Sequence, residues 1–237
     1  MKGGISIHLL PHLANETSRD YSLRVLRYNI ITTEMKPGQM YSEKELSSAL
    51  GLSRTPMREA LIDLAKIKIV EVYPQRGTAV ALIDYDTIAE ASFMREALEV
   101  AAIRLCCETA SPRQLATLEL NVRQQKIFRD SGHMDELMRL DNSFHAAIFR
   151  IANKSLSYSM LSTMTLHFDR VRFLAVESVS DFKFIDEHES MLEALRAQDA
   201  DEAGRLMHHH LHRYEDDAIA LQKVYPRYFK PVAKAND

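Results

Sequence analysis

Tryptophan is absent, and glycine and proline number only seven each among 237 residues. So few turn-formers argue against a turn-rich all-β architecture and rule out a collagen-like chain. Cysteine occurs twice, at the adjacent positions Cys106 and Cys107 inside an apolar periodic stretch. That excludes a disulfide framework and a cysteine-based zinc ribbon, and the expected compartment is the reducing cytoplasm. Long hydrophobic runs are missing too. The opening MKGGISIHLLPHLANETSRD holds a short apolar scrap broken by His8, Pro11 and His12, and no later run approaches the roughly 18 apolar residues of a membrane span. The expectation is a chain neither secreted nor inserted. What is present, 46% hydrophobic and 27% charged residues, is ordinary for a globular protein large enough for one sizeable core or two smaller ones.

The net charge of −3 conceals an asymmetry. Residues 1–80 carry 11 Lys/Arg against 8 Asp/Glu, and the remainder carries 19 against 25. A mildly basic front joined to an acidic rear suggests two domains with different partners, although the imbalance alone is weak evidence for a polyanion.

In the front part, Leu23, Leu26 and Ile30 recur at helical spacing before the turn signal Lys36-Pro37-Gly38. Ser42 and Glu45 form a capping box for a short helix ending at Gly51. Ser53 or Thr55 can cap the next helix, with Pro56 in its first turn and Met57, Ala60, Leu61 and Leu64 as its apolar stripe. IVEVY and TAVALI then read as two strands around Pro74-Gln75-Arg76-Gly77. Helix, helix, tight turn, helix and hairpin describe a winged helix-turn-helix. At 100° per residue, Thr55 and Arg58 project away from the apolar stripe of the third helix. An arginine fork there can bond guanine O6 and N7 together, a pairing worth about 1–3 kcal/mol of base discrimination.

The segment PGQMYSEKELSSALGLSRTPMREALIDL, with PQRGTAV, resembles the DNA-binding domain of the GntR family of bacterial transcription regulators over about residues 20–80. The resemblance implies that Arg54 and Arg58 lie near bases, that Ser53 and Thr55 touch phosphates or bases, and that Lys44 touches the backbone. It also places Arg76 and Gly77 at a wing tip that approaches the minor groove. Lys68, before the wing, stands where relatives usually have glycine. A lysine there either alters the wing angle or adds a phosphate contact, in a position that favours positive φ.

After a polar junction at Asp84–Asp86, helical periodicity runs almost to the end. Helices are expected near 87–110, 112–131, 133–152, 155–178, 183–197 and 199–222, which together imply a bundle. Asp141 and His145 share a face with Phe144 and Ile148. His188 shares one with Met191, Leu192 and Leu195, and His210 with Met207, Leu211 and Tyr214. A carboxylate on an apolar face needs a proton donor, a cation or a metal. One Asp and three His from three helices suit zinc, with nickel or manganese as alternatives. A hydrogen-bonded structural pair is the plainer account of Asp141 and His145 taken alone. By the same geometry His208 sits at the edge, and His209 and His212 face solvent. His167 is either packing or a further ligand or effector contact.

DNSFH and HESMLEALRAQDADEAGRLMHHHL resemble the FCD ligand-binding domain of the FadR-like branch of the same family. In its metal-binding members an Asp, a His four residues later and two further His hold a divalent cation, which carries over to Asp141, His145, His188 and His210. Arg95 and Glu99 match an RxxLE pattern on a face read as Ile88, Ala91, Leu98 and Ala102. Arg95 could clamp an acid group bidentately or simply pair with Glu99.

The expected fold is therefore mainly α. It comprises an N-terminal arm (1–15), a winged helix-turn-helix with a small hairpin wing (16–80), a linker (81–86), an all-α helical bundle for effector, metal and dimerisation (87–222), and a tail (223–237) that packs or frays. The expected function is a homodimeric DNA-binding regulator of a palindromic double-stranded operator, controlled by a small carboxylate effector at a buried divalent metal, and not an enzyme. The alternatives are a regulator that senses the cation itself, and a metallohydrolase, for which no general base or oxyanion stabiliser announces itself.

Overall fold

The structure is a computed structural model that describes residues 5, 7–179, 182–212 and 220–231. The chain divides into two compact units, residues 1–86 with 222–237, and residues 87–221. Among the described residues no helix is long and apolar enough to cross a membrane.

The first unit begins with α1 (Ser18–Ile31), capped by the Thr17 side chain, which accepts from the Asp20 N–H. Tyr21, Val25, Leu26 and Ile30 form its buried stripe. The segment before it, read from sequence as a separate arm, docks on this helix. Asn29 exchanges hydrogen bonds with the His8 backbone at 2.7 and 2.9 Å, and His12 stacks on Tyr21.

A two-residue strand β1 (Met40–Tyr41) follows, then α2 (Glu43–Ala49), whose Ser42–Glu45 capping box is complete. Gly51 takes φ +67° in the turn to α3 (Arg54–Lys66). Ser53 occupies the N-cap position of α3 without a side-chain cap bond. The stripe Met57, Ala60, Leu61 and Leu64 is buried as expected.

Helix α3 ends in a Schellman motif: Lys68 N–H donates to Ala65 O and Ile69 N–H to Leu64 O, both at 3.0 Å, with Lys68 left-handed at φ +58°. Asn153 and Gln198 occupy the same position after two later helices. A chain so poor in glycine closes helices with other residues, at a backbone cost that glycine would not incur.

Strands β2 (Val70–Tyr73) and β3 (Gly77–Val80) form the wing, and β3 is central in the antiparallel order β1-β3-β2. The sequence reading anticipated the hairpin but not β1, because two residues carry no detectable alternation. The described part of the C-terminal tail packs on this unit, the first of the two expected outcomes. Phe229 bridges to Ile83 and stacks on Tyr85, and Lys230 pairs with Asp84 at 2.8 Å.

Among its described residues the second unit is built of helices: α4 (Tyr85–Thr109), which starts at the junction, α5 (Pro112–Asp130), α6 (Met134–Ile151), α7 (Ser155–Val179), α8 (Lys183–Arg196) and α9 (Ala200–His212). Helix α5 packs on α6 and α8, α6 on α7, and α8 on α9. Residues 166–171 of α7 are buried on every side. The core gathers Ile103, Cys106, Phe144, Ile148, Met191 and Met207 among others. Leu98, expected on the inward face of α4, is instead 37% exposed. It lies 100° around the helix from Glu99, on the flank of a stripe centred on Ile88, Arg95, Glu99 and Ala102. Tyr214, read as sharing the His210 face, falls outside the described residues.

Candidate functional site

In the first unit, Ser53, Arg54, Thr55 and Arg58 at the start of α3, Lys44 on α2 and Arg76 on the wing are all exposed. The uncapped N-terminus of α3 leaves first-turn N–H groups and the Ser53 hydroxyl available to an anion such as a phosphate. Arg58 is engaged: its Nε and Nη2 donate to the two Glu43 oxygens at 3.0 Å each. This clamp has no local signature, since the partners are 15 residues apart on different helices.

Arg76 lies over the Tyr73 ring, with its guanidinium carbon 5.7 Å from the centroid. Gly77, read as a close approach to DNA, has a reason inside the fold. At φ +126° it passes so near β1 that a Cβ would sit 2.5 Å from the Tyr41 carbonyl oxygen.

In the second unit, the four residues singled out on three helices converge. Asp141 and His145 come from α6, His188 from α8 and His210 from α9, and one ligand atom of each lies within 4.8 Å of the others. Asp141 Oδ1 is 3.7 Å from His188 Nε2, Asp141 Oδ2 is 3.9 Å from His145 Nε2, and His145 Nε2 is 3.3 Å from His210 Nε2.

The opposite edge of each ring decides its tautomer. His188 Nδ1 meets the Gln125 side-chain oxygen at 3.0 Å, His210 Nδ1 meets Glu187 Oε2 at 2.7 Å, and His145 Nδ1 contacts Glu99 Oε2. All three partners are acceptors. The hydrogen bonds put the proton on Nδ1 of His188 and His210, and the Glu99 carboxylate against His145 Nδ1 favours the same tautomer there, so that in the neutral rings each Nε2 directs a lone pair inward. Two such lone pairs 3.3 Å apart repel unless something positive lies between them. His188 Nε2 is buried with no hydrogen-bond partner among the described residues, and an orphaned acceptor of this kind is costly. The donor set and its outer acceptors fit a borderline divalent cation.

Electrostatics point the same way. Burial pushes His188 well below the usual histidine range and lowers His210 as well, which keeps both in the neutral, ligating form. Burial would raise the Asp141 carboxyl, but the Arg172 guanidinium beside it outweighs that and holds Asp141 below the ordinary range. Glu99 behaves likewise. Desolvation is overcome by Arg95 and His145, and the group stays a carboxylate.

Arg172 of α7 pairs directly with Asp141 and reaches Asp169 Oδ1 at 3.3 Å. Arg95 is 3% exposed and donates through Nε to Glu99 Oε1 at 2.7 Å. Its Nη1 is buried with no hydrogen-bond partner among the described residues, and its guanidinium carbon lies 4.5 Å from the Phe168 ring centroid. Glu99 thus joins the buried arginine to the outer edge of His145. The His208–His210 run separates as its geometry implied. The side chains of His208 and His209 are 54% and 70% exposed, whereas that of His210 is 8% exposed.

Sequence reasoning missed Gln125, Glu187 and Arg172. Gln125 carried a readable signal, because it continues the buried stripe Leu118, Val122 of α5 as a lone polar residue. Arg172 had none, since α7 lacks a continuous polar face by which to judge its inward side.

Residues 24–80 match the bacterial regulatory proteins of the gntR family, and residues 90–213 match the FCD domain. The chain is 31% identical over 207 residues to the HTH-type transcriptional repressor RspR of Escherichia coli K12, spanning 87% of this chain and 91% of that protein. It is 32% identical over 212 residues to an HTH-type transcriptional regulator of Streptomyces ambofaciens, spanning 89% of each. Among solved structures, E. coli McbR/YncC shares the fold with a TM-score of 0.76 at 22% identity, over 89% of this chain and 99% of that one. A GntR regulator from Rhodococcus sp. RHA1 gives 0.69 at 22% identity, over 87% and 98%. These relatives are regulators and not enzymes, which removes the metallohydrolase reading. A winged helix-turn-helix of this sequence, followed by an FCD bundle, makes the chain a member of the GntR family of transcriptional regulators.

Proposed function

We propose that the chain binds a palindromic double-stranded operator as a homodimer, and that a small carboxylate effector bound at a divalent metal in the helical unit sets its affinity for that operator. Asp141, His145, His188 and His210 hold the metal, zinc first by donor type, with nickel or manganese as alternatives. The observation that carries this reading is the hydrogen bonding of His188 and His210 Nδ1 to acceptors, with His145 Nδ1 against the Glu99 carboxylate, which turns three Nε2 atoms toward the Asp141 carboxylate with Arg172 as the one cation paired to it among the described residues.

When bound, the cation supplies a Lewis-acidic attachment point for a carboxylate oxygen. Around it, Gln125, Glu99 and Glu187 fix the ring orientations, and Phe144, stacked on His188 with centroids 4.1 Å apart, helps keep water out. Arg95 Nη1 is buried without a hydrogen-bond partner among the described residues, and a second effector oxygen would satisfy it. In the first unit, Arg54 and Arg58 read bases, Ser53, Thr55 and Lys44 hold phosphates, and Arg76 serves the wing.

The test uses untagged protein. Elemental analysis after gel filtration should find about one tightly held divalent metal per chain, reduced by Asp141→Ala, His145→Ala, His188→Ala or His210→Ala but not by His209→Ala. Calorimetry with small carboxylates, with and without a duplex selected from a randomised pool, then measures coupling. Full metal retention in a His145→Ala/His188→Ala variant sinks the site. Sedimentation tests the dimer.

One observation favours the second reading, a regulator whose effector is the cation itself: Arg95 already has Glu99 as a partner. In that case chelator alone shifts operator affinity, and no carboxylate shifts it further.

A further inference from the structure

We propose that Glu96, His208 and His212 form a second, solvent-facing site for a borderline divalent cation such as Zn²⁺, weaker than the buried centre and independent of it. The three residues come from α4 and α9, and one ligand atom of each lies within 4.8 Å of the others. Glu96 spreads its carboxylate across both rings, with Oε1 2.8 Å from His208 Nδ1 and Oε2 3.5 Å from His212 Nε2. His208 and His212 sit one helical turn apart with ring centroids at 4.3 Å, the i, i+4 spacing that lets two imidazoles on one helix face share a metal.

The tautomer of His212 supplies an independent observation. Its Nδ1 lies 2.9 Å from the His208 carbonyl oxygen, which can only accept, so Nδ1 carries the proton. In the neutral ring Nε2 then aims a lone pair at a carboxylate oxygen, an arrangement that a cation between them reverses from repulsion to coordination. Helices α4 and α9 run antiparallel here, with Arg104 paired to Asp201 and its side chain lying over Gly204 at the other end.

With two imidazoles and one carboxylate, the coordination is completed by water. The side chains of Glu96, His208 and His212 are 35%, 54% and 34% exposed, so the site stays hydrated and binds less tightly than the buried one. A cation held there would clamp α4 to the last turn of α9, the same two helices that carry Arg95, Glu99 and His210.

The experiment is a Zn²⁺ titration of untagged full-length protein against a chromophoric chelator, with far-UV circular dichroism confirming the fold of each variant. The wild type should take up about two equivalents in two phases. His208→Ala/His212→Ala and, separately, Glu96→Gln should weaken the looser equivalent at least tenfold and leave the tight one unchanged. His145→Ala/His188→Ala should do the reverse, so failure of the buried centre and failure of this site are told apart. A wild type that binds one equivalent overturns the proposal. So does a second equivalent that survives both surface variants, or one that disappears in His209→Ala instead.

Discussion

Gly77 separates two accounts of the wing, and replacing it with alanine, alongside the same change at Gly51, tells them apart. Both glycines have positive φ, +126° and +67°, so both substitutions incur backbone strain. Only one meets a neighbour. A Cβ at Gly51 has nothing within 4 Å, whereas a Cβ at Gly77 sits 2.5 Å from the Tyr41 carbonyl oxygen and 3.2 Å from its carbon. Tyr41 cannot withdraw easily, because it is 3% exposed and its strand is paired with Thr78 in β3.

Gly51→Ala should cost about 1 kcal/mol, the penalty of a left-handed L-residue. Gly77→Ala adds forced repacking to a comparable or larger strain, for a total of about 3–5 kcal/mol. In a folding unit of roughly a hundred residues these amounts lower Tm by about 5 °C and by about 15 °C or more. Differential scanning calorimetry of the full chain reads both, and the transition of the first unit is the one that excess duplex at low salt shifts upward. Equal Tm losses in the two variants would refute the argument from Tyr41. DNA affinity measured well below both transitions then isolates any direct role. If Gly77 serves only the fold, folded Gly77→Ala binds duplex as the wild type does.

Arg54→Ala should abolish the preference for selected over scrambled duplex, while Lys44→Ala weakens both alike and lowers the salt slope by about one unit. Glu43→Gln replaces one of the two oxygens that accept from Arg58 with an NH2 donor and removes a negative charge beside it, so affinity for all duplexes should rise roughly fivefold at low salt. An unchanged affinity would mean that the clamp does not compete with DNA. Arg95→Ala should reduce the coupling between carboxylate and operator from the typical 5- to 150-fold range towards unity while the metal is retained. Paired titrations with and without duplex check this.

How much of this was legible in the sequence depended on whether the information was periodic and local. The capping box Ser42–Glu45, the stripe of α3 and the inward placement of Asp141, His145 and His188 follow from residues within two turns of one another, and the fold realises them. β1 was not legible, because two residues present no period and its pairing depends on Gly77, 36 residues from Tyr41 in the chain. Partners fixed by tertiary geometry were equally hidden. Arg172 meets Asp141 across 31 residues and Glu43 meets Arg58 across 15. Leu98 was misplaced because an amphipathic face has width, and a residue at its margin is assigned by hydrophobicity alone. The positive φ suspected at Lys68 is present, and the Schellman bonds explain it without reference to DNA.

The two cysteines offer a measure of the metal's effect on stability that does not depend on DNA. Cys106 and Cys107 are 0% and 2% exposed and belong to the core that also contains Phe144, Ile148, Met191 and Met207, the residues flanking the proposed ligands. Burial pushes the Cys106 thiol up to about 12 and raises Cys107 as well. Only the thiolate is nucleophilic, so a disulfide reagent near pH 8 should react only through molecules in which this core has opened. When reclosing is faster than modification, the rate follows the open population. A cation that binds only the closed form lowers that population by the factor 1 + [M]/Kd. At free metal one hundred times Kd the thiols should react about 100-fold more slowly than in chelator-treated protein, equivalent to about 2.7 kcal/mol. Both thiols should follow one rate constant, since adjacent positions in one core become accessible together. In His145→Ala/His188→Ala the 100-fold protection should be lost, leaving at most the smaller effect of a cation held between α4 and α9. Equal rates in metal-loaded and stripped wild-type protein would show that nothing held by the histidine cluster stabilises the bundle.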